Sequence, residues 1–148
     1  MKRNENQKQR AMDESTPAGE LRSLAAESVA LARLVAKNPA APAGLLEKLT
    51  KHKDVTVRQN VAMHPGTPVD ALLTLAEKCT ASFLKNPLLD LLFLENPSLL
   101  ETFSPELNKK VAENRNTPAS TLEQLAGDKD EWVRRGVARN PNAPRSHA

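Results

Sequence analysis

The chain has 148 residues, a formal charge of +3 and a pI near 9.2, which is the size of one ordinary domain with a mildly basic balance. Three Phe, one Trp and no Tyr leave Leu, Val and Ala to build the core, which argues against a β-sandwich and for helices packed on helices. Eleven Pro against five Gly imply many short helices, and a single cysteine, Cys79, excludes an internal disulfide framework and fits a reducing compartment.

The first fifteen residues, MKRNENQKQRAMDES, are charged and lack the apolar segment of a secretory signal. They read as a disordered polar tail over 1–15. No later run has the length of a membrane span, since Leu88–Leu94, the longest apolar stretch, is interrupted by Asp90. A soluble, cytoplasmic protein without membrane contact is the expectation.

From Thr16 a pattern begins that returns at Ala41, Thr67 and Thr117: TPAGELRSLAAE, APAGLLEKLTKH, TPVDALLTLAEK and TPASTLEQLAGD. Its prolines, Pro17, Pro42, Pro68 and Pro118, stand 25, 26 and 50 residues apart, so one degenerate unit fits in the last interval. Leu follows each proline at plus four (Leu21, Leu46, Leu72, Leu122) and plus seven (Leu24, Leu49, Leu75, Leu125), which places both on one helical stripe. Thr suits the N-cap and Pro the first helical position. Each window therefore predicts the start of a helix, here called helix A.

A second window alternates with the first: SVALARLVAKNP from Ser28, DVTVRQNVAMHP from Asp54, SPELNKKVAENR from Ser104 and DEWVRRGVARNP from Asp130. The leading Ser or Asp is an N-cap type. Leu31, Val57, Leu107 and Val133 follow at plus three, and Val35, Val61, Val111 and Val137 at plus seven. Ala36, Ala62, Ala112 and Ala138 come next, then Asn38, His64, Asn114 and Asn140 close the window. In three of the four, proline follows and forces the helix to end. This is helix B.

Both helices are too short to be stable alone, so their stripes must be buried against neighbouring units. The prediction is an all-α solenoid of about five helix–turn–helix units, at about 17–41, 42–67, 68–91, 92–117 and 118–143, within a repeat domain spanning 16–144. The centre departs from the pattern. Phe83, Leu84 and Asn86 stand in for Val61, Ala62 and His64 on a shortened helix B, and LLDLLFLENPSLLETF holds too many apolar residues for a clean stripe. An irregular buried helix is expected there, with Leu99 and Leu107 in register with Leu49 and Val57. Pro144 occupies the place of Pro118, so a sixth unit begins before the tail at 145–148. Val133 and Val137 are then expected to be poorly covered, which gives end-to-end self-association or a frayed end.

TPASTLEQLAGDKD followed by VRRGVARNPNAP resembles the leucine-rich repeat variant family, and the likeness runs from Thr16 to Pro144. The resemblance implies a right-handed superhelix in which α-helices alternate with short 3-10 helices. Some members hold an iron–sulphur cluster through cysteines ahead of the repeats. The N-terminal stretch here has no cysteine, and Cys79 alone cannot ligate a cluster, so no cofactor is carried over.

The histidines are His52 in a Lys-rich turn, His64 at a helix B terminus, and His147. No HExxH, paired Cys/His spacing or glycine-rich phosphate loop is present, so no catalytic, metal or cofactor site is assigned. Cys79 reads as packing, and the Asn series as turn or carbonyl satisfaction. Trp132 reads as a packed amphipathic aromatic. Helix B carries a repeated charge pattern. Arg33, Gln59, Lys109 and Arg135 share one position, and Lys37, Lys85 and Arg139 share a second on the same face, where Met63 and Glu113 interrupt them. Arg58 and Arg134 lie alongside. Stacked units would align these nine residues into a discontinuous basic stripe, the candidate partner-binding surface. The expected function is a non-enzymatic scaffold that binds a protein partner along the solenoid. A nucleic-acid-binding solenoid using the same stripe is the alternative.

Overall fold

A computed structural model describes residues 2–144, which form helices and no strand. The chain divides into two compact units, 1–87 and 88–148. The first contains α1 (Lys2–Met12), α2 (Ala18–Glu27), α3 (Val29–Lys37), α4 (Ala43–Leu49), α5 (Val55–Met63), α6 (Val69–Ala76) and α7 (Thr80–Phe83). Helix A segments are α2, α4 and α6. Helix B segments α3, α5 and α7 pack on one another in sequence, and each packs on a helix A neighbour. That is the two-layer stack of a helical repeat solenoid.

The repeated apolar positions supply the core. Leu21, Leu24, Leu46, Leu49, Leu72 and Leu75 are buried from the helix A side, and Leu31, Val35, Val57, Val61 and Phe83 from the helix B side. Each such side chain contributes about 1.5–3 kcal/mol of transfer free energy. Helix B starts as its sequence dictates: Ser28 Oγ accepts from the Leu31 N–H at 3.1 Å, and Asp54 Oδ2 from Val57 N–H at 3.0 Å.

Helix A starts differently from the expectation. Proline, not threonine, holds the N-cap: Pro17, Pro42 and Pro68 are extended, and their carbonyls accept from Leu21, Leu46 and Leu72 at 2.8–3.0 Å. The buried threonine hydroxyl turns back instead. Thr16 Oγ1 donates to the Arg10 carbonyl at 2.6 Å and Thr67 Oγ1 to the Val61 carbonyl at 2.8 Å, so each adds a second donor to a carbonyl near the end of the preceding helix. Ala41 stands at this position without a hydroxyl.

The residue that closes helix B clamps the preceding repeat. Asn38 Nδ2 donates to the Ala11 and Asp13 carbonyls, both at 2.9 Å, and Asn86 Nδ2 to those of Ala62 and His64 at 2.9 and 3.1 Å. Asn38 Oδ1 accepts from the Ala40 N–H at 2.8 Å. His64 does the same work with a ring: Nε2 lies 2.7 Å from the Asn38 carbonyl, and Nδ1 accepts from the Gly66 N–H at 2.8 Å. Nδ1 is thus the unprotonated nitrogen and Nε2 the donor. The ring occupies more room than an amide, and a Cβ at residue 66 would meet His64 Cε1 at 3.0 Å. Gly66→Ala is expected to cost about 1–2 kcal/mol. In a His64→Asn background the same change is expected to be nearly neutral, because Ala40 already sits two residues after Asn38. Urea midpoints of the four-member cycle check this, and equal costs in both backgrounds would refute the coupling.

The polar tail expected over 1–15 is instead largely helical. α1 takes the place of a helix B, packed on α3. Only Ala11 on it is buried, which is why no apolar stripe announces it. Polar bonds hold it: the Asn38 amide and Thr16 hydroxyl bind its last carbonyls, and Arg10 makes a fork to Glu20 at 2.8 and 2.7 Å.

The second unit contains α8 (Leu89–Glu95), a 3-10 helix (Pro97–Thr102), α9 (Pro105–Glu113), α10 (Ala119–Leu125) and α11 (Glu131–Arg139). Among the described residues 3-10 geometry is confined to Pro97–Thr102, where Leu100, not Leu99, is buried. α9 and α11 are helix B segments capped by Ser104 and Asp130. Asn140 clamps α9 through the Ala112 and Asn114 carbonyls, both at 2.7 Å, and Thr117 Oγ1 donates to the Val111 carbonyl at 2.6 Å. Val133 and Val137, expected to be poorly covered, are buried, because α9 covers them; Ala138 is the exposed member of the stripe. The tail at 145–148 and His147 lie outside the described residues.

Candidate functional site

The residues of the helix B charge series take several different environments. In the first unit, the Arg33 guanidinium grips Asp54, the cap of the next helix B, through two bonds of 2.8 Å. That bond raises the Arg33 pKa and, together with the Val57 N–H, holds the Asp54 carboxyl well below the usual carboxylate range. Arg58 Nη1 donates to the His52 and Lys53 carbonyls at 2.6 and 2.9 Å, which fastens the turn between α4 and α5. Lys37, Gln59 and Lys85 are exposed.

In the second unit, Arg134 repeats the role of Arg58, with Nη1 2.7 and 2.9 Å from the Asp128 and Lys129 carbonyls. Arg135 pairs with Glu131 at 2.8 Å and lies 4.9 Å from the Trp132 ring, while Lys109 lies 5.7 Å from the same ring. Trp132 is not packed inside: it is 56% exposed and held by these two cations. Arg139 is exposed. Arg33, Arg58, Arg134 and Arg135 are thus engaged within the fold, whereas Lys37, Lys85 and Arg139 make no ion pair among the described residues.

A second basic surface lies on the helix A side of the first unit. Between α2, α4 and the turn 51–54 runs an open groove of about 1050 Å³. Its floor is apolar, from Ala25, Leu45 and Leu49, with exposed Val29 at one end. Arg22, Lys48, Lys51 and Lys53 edge it, and none of the four makes an ion pair among the described residues. Glu47 and Asp54 are its acidic members, and Asp54 is already engaged by Arg33. Gly44 lines it, and a Cβ there would meet nothing within 4 Å, so a larger side chain has room at this position. The sequence signal was the cluster Lys48, Lys51, His52 and Lys53, which read only as a turn. A smaller groove of about 600 Å³ in the second unit is acidic by contrast, with Glu101, Asp128 and Asp130 on its walls.

Cys79 is buried and unpaired. Among the described residues no three His, Cys, Asp or Glu side chains cluster in a way that could hold a metal, and no helix is long and apolar enough to cross a membrane. No curated protein and no solved structure matches the chain. The profile of the Leucine Rich Repeat Variant domain matches residues 5–65, which run from within α1 to just past α5. The stretch that holds α2 to α5 is therefore similar to a Leucine Rich Repeat Variant domain.

Proposed function

We propose that this protein is a non-enzymatic repeat scaffold that docks a protein partner on its first unit. One observation carries the reading: the α2–α4 groove joins an apolar floor to four cations without ion-pair partners. Apolar floors with a polar rim are the usual anatomy of a protein docking site. The free helix B cations Lys37 and Lys85 add positive charge to the same unit and would speed the encounter with an acidic partner.

Gly44→Phe tests the reading, because it fills the groove where the fold has room. The wild-type chain should retain a discrete partner from a lysate of its source cells, and Gly44→Phe should lose it while melting at an unchanged or higher temperature. Equal recovery on both baits, or none on the wild type, would count against the reading. Duplex DNA is the competing ligand. Binding of labelled duplex at low salt, falling steeply with added salt, would replace protein docking with nucleic-acid binding.

A further inference from the structure

The groove's chemistry constrains what can lie in it. A bound segment brings its own backbone N–H and C=O groups, and these need partners once water is expelled. A receptor that holds an extended segment supplies them, from a sheet edge or from a ladder of side-chain amides. The described residues of the first unit contain no strand. Its amide ladder is already occupied: Asn38 is buried and bonded to Ala11, Asp13 and Ala40, and Asn86 is bonded to Ala62 and His64. What lines the groove instead is aliphatic surface, the four cations, Glu47, His52 and the Asp54 already engaged by Arg33. The guest must therefore satisfy its own backbone, and an α-helix does so in water or out of it.

Charge selects the face. Arg22, Lys48, Lys51 and Lys53 outnumber Glu47, and Asp54 is neutralised by Arg33. A basic or neutral guest would leave these cations facing like charge or nothing, whereas carboxylates on both sides of an apolar stripe would meet them. Resting on the reading that the groove docks protein, we propose that it receives an acidic amphipathic α-helix of the partner. Leucine-like anchors at i, i+3 or i+4 and i+7 would sit over Ala25, Leu45 and Leu49, with Asp or Glu flanking them. The open space beside Gly44 receives the largest anchor.

A labelled, helix-stapled peptide of about 15 residues, with Leu on one stripe and Glu on its flanks, is the probe. Its twin carries Lys in place of Glu. Fluorescence anisotropy with the full chain should show binding of the acidic peptide and roughly tenfold weaker binding of the twin. Gly44→Phe should abolish binding of the acidic peptide. Lys48→Glu/Lys51→Glu/Lys53→Glu should weaken it by roughly tenfold or more and strengthen the twin. Equal affinities for the two peptides, or acidic-peptide binding that survives Gly44→Phe, would overturn the proposal. If Gly44→Phe loses a cellular partner while the acidic peptide does not bind the wild type, docking stands and the acidic helix falls.

Discussion

Replacing Asn38 with leucine is expected to lower the stability of the first unit by about 3 kcal/mol. Leucine keeps the branched shape and heavy-atom count of asparagine, so the loss is chiefly polar. Three groups depend on this amide: the Ala11 and Asp13 carbonyls and the Ala40 N–H. Asp13 keeps a second bond, from the Thr16 N–H at 3.1 Å, so it loses least. Ala11 is fully buried and sits at the end of a helix, where no further turn supplies a donor. A buried group left open costs about 1–3 kcal/mol, and two such groups set the scale. Asn38→Asp is expected to be no milder at neutral pH. It retains an acceptor for Ala40 but turns a carboxylate oxygen toward two carbonyls in a buried place. Amide hydrogen exchange gives the local readout: α1 should lose protection first, since Asn38 ties its last turn to α3. A urea midpoint equal to wild type, with α1 still protected, would show that the clamp is dispensable.

The helix pairs were legible in the sequence because each helix carries its own start signal and stripe within a dozen residues. Pro17 with Leu21 and Leu24, or Asp54 with Val57 and Val61, needs no distant partner to be read. Thr16 and Thr67 mislead for the opposite reason. A Thr before Pro looks like a cap, and only the fold reveals that its hydroxyl reaches a carbonyl six residues back on another helix. α1 does not announce itself, because burial of one alanine makes no stripe. Its register was nonetheless written in the chain, as Ala11, Asp13 and Pro17 match Ala36, Asn38 and Pro42.

The groove and the charge pairing are harder to read, and the physics says why. Charges can be counted in a sequence, but their partners cannot. Arg33 spends its charge on Asp54, 21 residues on, and Arg58 and Arg134 spend their donors on backbone carbonyls that carry no sequence signature. A groove is also a place where side chains are absent. Gly44 looks like an ordinary small residue of helix A until α2 is seen beside α4 with open space between them.

The second large effect is expected at Gly136. It lies in the middle of α11, where glycine costs about 1 kcal/mol relative to alanine. The packing explains its presence. A Cβ there would come 3.0 Å from Ala112 Cβ, 3.3 Å from Glu113 Cγ and 3.4 Å from the Lys109 carbonyl oxygen of α9. The Glu113 side chain can swing aside; the Ala112 Cβ and the Lys109 backbone move only if α9 moves. In the first unit the matching residue, Asn60, stands against the matching backbone and donates to the Arg33 carbonyl at 3.1 Å, so the close approach is tuned to its occupant. Gly136→Ala is therefore expected to gain helix propensity and lose it again to the clash, ending near wild type or about 1 kcal/mol below it. Gly136→Leu has no such offset. It must push α11 off α9, uncovering Val133 and Val137 and stretching the Asn140 clamp, at an expected cost of about 3 kcal/mol or more. Trp132, the chain's single tryptophan, sits on α11 and reports this unit by fluorescence during urea unfolding. Ala112→Gly supplies the control. It removes the nearest atom, so Gly136→Ala should cost less in that background than alone, with a coupling of about 1 kcal/mol. Independent, additive effects of the two changes would show that α9 and α11 do not meet at this pair.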